Sequence, residues 1–288
     1  MTALINAMRT LTDPAETGAV CIALPQDVEG ESFDYPNYFF KKRVHKISRP
    51  SADKYEIDDV VKTIKASKKP LVIVGGGVKY SEAGAEVEKF CETFKIPFSE
   101  TQSGKSACKS SNKYCLGGIG VTGTSASNKI AKQADCVISI GSRMSDFTTA
   151  SKHLFRKAGV KFVSLNNNRY HAYKLDAVFA VGDAKTNLRK VSSELKRLKY
   201  KSQYKSEIKD ARAGWEKEMK RLGNLHYTGK NFQPNIKARD PRTVNEFVKK
   251  TKGVVTQTGA LVALRNFMGK DDILITAGGS LPSCLQRM

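Results

Sequence analysis

Long apolar runs are absent from this sequence, and their absence excludes the simplest membrane classes. No stretch approaches the ~18–20 residues of a membrane-spanning helix, and the first residues lack the continuous apolar region of a secretion signal. Aromatic residues are scarce at 8%, with a single tryptophan, yet hydrophobic residues make up 40% of the 288 positions. That share is enough to bury a core, so we expect a folded chain of one large or two small domains.

Clustered cysteines and histidines are also absent. The six cysteines include no C-x-x-C pair, and the four histidines are dispersed. This excludes the usual zinc-module spacings and a small disulfide-based scaffold. Cys21 and Cys136 lie inside apolar runs, where a buried thiol is expected. Scattered thiols without a secretion signal predict a reducing, cytoplasmic location.

Acidic residues are few relative to basic ones. The chain has 49 Lys or Arg and 28 Asp or Glu, a formal net charge of +21. The excess is largest between Lys185 and Arg221, with 13 basic and 5 acidic residues. A basic stripe of this kind can bind nucleic acid weakly, but its aromatic residues lack the pattern of an RNA-binding sheet. We therefore favour a solvated helix face, and expect neither a nucleic-acid nor a membrane partner.

Short apolar runs alternate with amphipathic stretches in the middle of the chain. Apolar residues recur at helical spacing in residues 57–64 and in a predicted helix over residues 81–94, and residues 124–134 also predict a helix. This alternation predicts the α/β class, with a Rossmann-like parallel sheet covered on both faces and ligands at the carboxyl ends of its strands. The predicted strands are residues 71–74, 95–98, 135–141, 160–165 and 178–181.

Two further apolar runs lie outside this alternation. Residues 18–24 form a continuous apolar run that ends at Pro25, and they predict a buried strand. Residues 272–277 predict another strand, which leads into a turn that contains Gly279. One strand and the two helices before it cannot build a core. The last segment is therefore expected to be the start of an incomplete domain.

Three glycine-containing motifs are candidates for binding phosphate groups. Residues 118–123 match the G-x-G-x-x-G spacing after a poor strand, whereas residues 75–77 follow a better strand but lack the third glycine. Glu100 lies about where a ribose-binding acid would follow residues 75–77. Residues 104–106 resemble a phosphate loop, but Ser99 stands where its first glycine is required. The residues alone therefore predict an α/β ligand-binding domain between two incomplete segments.

Several longer strings resemble the thiamine-diphosphate enzyme superfamily. Residues 24–28 resemble the end of its pyrimidine-binding domain, residues 69–77 and 135–143 its central domain, and residues 277–288 the start of its pyrophosphate-binding domain. Within this superfamily, the sequence most resembles the branch whose enzymes open a cyclic dione in myo-inositol catabolism. The strings that carry this closer resemblance are residues 75–83, 100–106, 117–124, 146–151 and 278–287.

The resemblance implies a domain plan and an activity. The implied protein is a cytoplasmic enzyme that forms a homo-dimer or homo-tetramer. It uses thiamine diphosphate and Mg²⁺ to hydrolyse a C–C bond of a small cyclic dione, and the product is 5-deoxyglucuronate. The implied parts are residues 1–48, the end of the pyrimidine-binding domain with a linker; residues 49–200, the central domain; residues 201–240, a helical and loop linker; and residues 241–288, the truncated start of the pyrophosphate-binding domain.

The resemblance also assigns the site residues. Only Gly279, Ser280 and Leu281 are expected to contact the cofactor. The family's catalytic glutamate is expected before this chain and its metal motif after it, so the chain is expected to hold no catalytic or metal-binding residue and to be inactive alone. Arg143 corresponds to a flavin-contacting position of acetolactate synthase, although an arginine that caps a strand-end loop is the favoured interpretation. The alternatives are an acetolactate-synthase-like fragment and a free-standing nucleotide-binding module.

Overall fold

The apolar runs of the middle of the chain become one parallel sheet. The computed structural model describes residues 2–228, 241–269, 271–276 and 279–288. The sheet has the strand order β3-β2-β1-β4-β5-β6, and every neighbouring pair in it is parallel. Its strands are β1 Pro70–Val74, β2 Phe98–Glu100, β3 Cys115–Gly118, β4 Cys136–Ile140, β5 Lys161–Asn166 and β6 Val178–Val181. A separate antiparallel pair joins β7 His226–Tyr227 to β8 Val254–Val255.

Helices cover both faces of the sheet and extend to both ends of the chain. Among the described helices, none is long and apolar enough to cross a membrane. Short 3₁₀ helices lie at Asn37–Phe40, His153–Phe155 and Lys174–Asp176. The α-helices are α1 Thr2–Thr12, α2 Gln26–Glu29, α3 Lys54–Ala66, α4 Gly77–Tyr80, α5 Gly84–Phe94, α6 Ser125–Gln133, α7 Asp146–Thr149, α8 Arg169–Ala172, α9 Ala184–Arg197, α10 Glu207–Gly223, α11 Pro241–Thr251, α12 Gln257–Phe267 and α13 Ser280–Leu285.

The two-residue period of the central strands separates two hydrophobic cores. Val72 and Val74 of β1 point into a core formed with α3, α5 and α9, whereas Leu71 and Ile73 point into a second core with α6 and α10. All four side chains are fully buried. A strand buried on both faces must be apolar throughout, which is why β1 and β4 appear in the sequence as continuous apolar runs.

The predicted parallel sheet is confirmed, with two adjustments. The strand expected at residues 95–98 begins later, at Phe98, and Ile96 is buried in the connection before it. The short run before the G-x-G-x-x-G motif is a true strand, β3, at the edge of the sheet. The helix expected over residues 81–94 is α5 alone, because Glu82 adopts a left-handed backbone conformation with φ of 51°.

Both outlying strand predictions are wrong in the described residues. Residues 18–24 form no strand and are exposed, and Cys21 is exposed with them. Residues 272–276 form no strand either, and the side chain of Ile275 is 88% exposed. A strand needs a hydrogen-bonding partner as well as apolar residues, and no described strand runs beside either segment. The last position of the second predicted strand, 277, lies outside the described residues.

Asp183 ties the segment before α3 to the sheet. One carboxylate oxygen accepts hydrogen bonds from Arg49 Nη1 at 3.0 Å and Ser81 Oγ at 2.7 Å. The other oxygen accepts from the Thr186 backbone N–H at 2.9 Å, which caps α9. Burial raises the pKa of Asp183, but these hydrogen bonds outweigh it, so the pKa lies below its ordinary value of 3.8.

We expect Asp183→Asn to lower the free energy of unfolding at pH 7 by about 2–3 kcal/mol, since an amide would face the donors of Arg49 and Ser81. Because the folded-state pKa is depressed, this stabilisation is present above about pH 4 and is lost as the pH falls through the folded-state pKa. Urea unfolding at pH 7 and pH 3 measures both effects. The exposed Asp58→Asn is the control and should cost less than about 0.5 kcal/mol; equal losses for the two variants would contradict the assignment.

Candidate functional site

The centre of the carboxyl edge of the sheet is closed by direct backbone contacts between two loops. The strand order reverses between β1 and β4, which is where parallel sheets usually bind ligands. Here the loops after these strands contact each other directly. The Gly75 N–H donates to Ile140 O at 2.8 Å, the Gly77 N–H donates to Gly141 O at 3.0 Å, and a Cβ on Gly75 would lie 2.2 Å from Gly141 O. The glycines at residues 75–77 therefore serve backbone packing, and the structure does not support a nucleotide between these loops.

The glycine turn after β3 also uses its donors internally. The Gly120 N–H donates to Asn128 Oδ1 at 3.1 Å, and the Gly123 N–H donates to Gly120 O at 3.0 Å. The Thr124 N–H donates to Gly118 O at 2.8 Å, and the hydroxyl of Thr124 caps α6. A phosphate-binding turn needs backbone N–H groups that face outward. The G-x-G-x-x-G motif therefore forms a turn in which these backbone N–H groups already have hydrogen-bond partners within the protein.

The C-terminal segment lies across this turn through Gln286. The Gln286 side chain is buried, and its Nε2 donates to Glu100 O at 3.4 Å and Ile119 O at 3.3 Å. Its Oε1 accepts a hydrogen bond from the Thr122 hydroxyl, and its backbone oxygen accepts from Lys105 Nζ at 3.5 Å. Sequence reasoning missed Gln286 as a contact residue because all of these partners lie more than 160 positions away.

The turn that the resemblance assigns to the cofactor lies shortly before Gln286 in the chain. Gly279 and Leu281 are exposed, and Ser280 begins α13. Gly279 has a φ of 121°, and a Cβ there would meet open space, so the backbone of the turn is accessible. The turn lies seven residues or fewer before the buried Gln286 anchor, and its cofactor role stays a prediction. Arg143 is exposed on the loop after β4.

A cavity of about 650 Å³ opens between the β2–β3 edge, α10, α12 and the last three residues. Glu100 lies at its wall and is 3% exposed; burial raises its pKa, and the nearby Lys105 partly offsets this. Burial lowers the pKa of Lys105 in turn. Burial also raises the pKa of the neighbouring Cys115 to about 11, so that thiol stays protonated and is a poor nucleophile.

The cavity is a candidate site, and the described residues limit its chemistry. Nowhere in the described ranges do three His, Cys, Asp or Glu side chains converge on a possible metal position. The cavity carries one buried carboxyl group, several cationic side chains and the indole of Trp215. Such a wall can orient a polar ligand by hydrogen bonds, while bond-breaking chemistry has to come from a cofactor or from other residues.

We expect Gly118→Ala to displace the C-terminal segment, because a Cβ at this position would lie 2.6 Å from Gln286 Cγ and 2.8 Å from Gln286 O. Overpacking of this kind costs about 1–3 kcal/mol, which corresponds to at least ~5-fold faster amide hydrogen exchange in residues 280–288. Gly214→Ala is the matched control, since its Cβ meets nothing within 4 Å. Unchanged exchange in Gly118→Ala would show that Gln286 does not dock there.

Comparison with known proteins shows which protein family and which enzymes this chain is similar to. Residues 57–191, which include β1 to β6, match the family described as thiamine pyrophosphate enzyme, central domain. Over all 288 residues the chain is 56% identical to the 3D-(3,5/4)-trihydroxycyclohexane-1,2-dione hydrolase of Clostridium botulinum (strain Alaska E43 / Type E3). It is 53% identical to the protein of the same name from Clostridium tetani and 51% identical to hydrolase 1 of that name from Bacillus cereus.

These alignments cover 100% of this chain and 45% of each relative, so the chain spans about half the length of the curated relatives it matches. The matched range contains the whole six-stranded parallel sheet. Over residues 57–191 the chain is similar to the central domain of thiamine pyrophosphate enzymes.

Proposed function

We propose that this chain provides the central domain of a thiamine-diphosphate-dependent hydrolase that opens the ring of 3D-(3,5/4)-trihydroxycyclohexane-1,2-dione. The single observation that carries the proposal is the 51–56% identity to hydrolases of that name over every residue of the chain, including the stretches outside the family match. In the proposed reaction a C–C bond of the small cyclic dione is cleaved, and water completes its conversion to 5-deoxyglucuronate.

The fit of the chain to thiamine diphosphate is partial. When bound, the cofactor supplies the carbanion chemistry of such an enzyme. The exposed backbone at Gly279 and the open space beside it suit the approach of one edge of an anionic group. The described residues bring together no carboxylate set for the proposed Mg²⁺. We therefore assign Gly279, Ser280 and Leu281 a positioning role toward the cofactor and derive no chemical step from this chain.

The domain plan supports this division of work. In our proposal residues 49–200 hold the sheet, the helical layer of α3, α5 and α9, and α6 of the second layer, which α10 of the linker completes. Residues 241–288 carry the cofactor-facing turn. The flanking parts, residues 1–48 and 201–240, connect the central domain to the rest of the enzyme. We also propose that the enzyme is a cytoplasmic homo-dimer or homo-tetramer. The reason for an oligomer is that the family pattern supplies its catalytic glutamate from a separate domain and, as a rule, from a second subunit.

The basic stripe of α9 and α10 supports a solvated surface and not a nucleic-acid interface. Five of its cations form ion pairs with carboxylates on the same or neighbouring helices, and charges used in this way are less available to phosphates. The pairs are Lys185 and Arg189 with Glu86, Arg197 with Glu194, Arg212 with Glu216, and Arg221 with Glu218.

A chimera tests the proposed function. Residues 1–288 replace the aligned segment of the Clostridium botulinum relative, and the product is assayed with thiamine diphosphate, Mg²⁺ and the dione. We expect turnover within about tenfold of the parent, equivalent to a loss of less than about 1.4 kcal/mol in transition-state stabilisation. A folded chimera that binds the cofactor and condenses pyruvate, without hydrolysing the dione, would favour the acetolactate-synthase alternative.

The chain by itself is expected to bind thiamine diphosphate weakly, with a Kd above about 1 mM, corresponding to less than about 4 kcal/mol of binding free energy. The diphosphate is strongly anionic and needs a metal and fixed donors, whereas a diffuse net charge of +21 attracts it without orienting it. Titration calorimetry of the purified chain with the cofactor and Mg²⁺ measures this. Micromolar binding would show that the turn at Gly279 is a complete site.

A further inference from the structure

Glu100 presents a hydrogen-bonding group that the described structure leaves unused. Its side chain is 3% exposed at the carboxyl end of β2, and its Oε1 has no hydrogen-bond partner among the described residues. The backbone N–H groups of Ser106 and Cys108 contribute less to the pKa of the carboxyl group than burial does, and neither donates a hydrogen bond to Oε1. A buried polar atom without a partner is rare in proteins, so the unpaired oxygen indicates a missing hydrogen-bond donor.

The cavity beside Glu100 has the size and the polar wall of a small-molecule site. Its volume of about 650 Å³ is in the usual range of roughly 300–1,000 Å³ for such sites. Lys105, Arg212 and Arg265 contribute donors to the wall, and Trp215 contributes an apolar surface. The wall thus offers one buried acceptor among several donors, which suits a ligand that carries both hydroxyl and carbonyl groups.

We propose that Glu100 is a specificity-determining residue, which accepts a hydrogen bond from a ring hydroxyl of a polyhydroxylated substrate held in this cavity. The inference rests on the proposed function and adds a substrate contact to it. A polyhydroxylated dione can donate a hydroxyl to Glu100 while its oxygens accept from Lys105 and Arg212. A simple 2-oxo acid such as pyruvate has no hydroxyl to donate and would bring a second carboxylate toward Glu100.

The position of the cavity agrees with this role. Gln286 donates to the backbone oxygen of Glu100 at 3.4 Å, so the residue that anchors the C-terminal segment is bonded to the strand end that carries the proposed contact. The turn with Gly279, Ser280 and Leu281 begins on the same segment. The cofactor-facing turn and the hydroxyl-binding carboxyl are therefore attached to one edge of the sheet.

The Glu100→Gln variant tests the contact in the chimera described above. The amide keeps the shape of the carboxyl group but replaces one of its two acceptor oxygens with an NH₂ donor. We expect KM for the dione to rise at least ~10-fold with kcat changed less than ~3-fold, because a contact made equally in ground and transition states affects KM.

A matched control and a second measurement separate the outcomes. Glu92→Gln changes an exposed carboxylate that accepts from Asn112 Nδ2 at 2.9 Å, and it should leave KM unchanged. Analogues of the dione that each lack one hydroxyl should include one with at least ~10-fold higher KM for the unmodified chimera. The Glu100→Gln variant should not distinguish that analogue from the dione.

Two results would overturn the inference. One is an unchanged KM in Glu100→Gln, which would mean that Oε1 holds only a water molecule. The other is equal KM values for every deoxy analogue with the unmodified chimera, a measurement that stands even where Glu100→Gln fails to fold. A chimera that hydrolyses no dione at all, with Glu100 intact, would instead refute the proposed function.

Discussion

The pairing of β1 with β4 is the constraint on which the rest of the molecule depends. Five consecutive positions pair from Pro70 with Cys136 to Val74 with Ile140, and both strands are buried along their whole length. The loops that follow these strands must therefore meet, and Gly75, Gly77 and Gly141 allow their backbones to touch. Because this contact fills the central crevice, the polar chemistry of the carboxyl edge is found to one side, at β2 and β3.

Much of the fold could be predicted from local patterns, because the sheet is covered by its own neighbours in sequence. The apolar run at residues 71–74 and the helical spacing of Ile57, Val60 and Ile64 report burial that nearby elements provide. Residues 18–24 and 272–276 have the same apolar character but no described partner strand, so composition alone led to a wrong prediction there. Burial patterns predict that a segment needs covering, and they do not show what covers it.

The candidate site was less predictable than the fold, for a related reason. Glu100 was a candidate ribose-binding acid because of its spacing from the glycine turn at residues 75–77. The structure places it at the end of β2, in the wall of the cavity. Gln286 had no local signal at all, since its contacts with Ile119 and Thr122 depend on how the C-terminal segment folds back. Contacts between distant segments are set by tertiary packing and not by a short sequence period.

The same carboxyl edge holds both flanking segments of the chain. At the end of β5, Asn167 Nδ2 donates to Pro14 O at 2.7 Å and Asn168 Nδ2 donates to Glu16 Oε1 at 2.8 Å. At the end of β2, Gln286 makes the corresponding contacts for the C-terminal segment. Asn168 shows why a side-chain amide suits this task, since its Oδ1 accepts from the His171 N–H of its own segment while its Nδ2 donates to the N-terminal segment. A domain whose central crevice is closed can in this way still contribute to function, by fixing the segments before and after it along one edge.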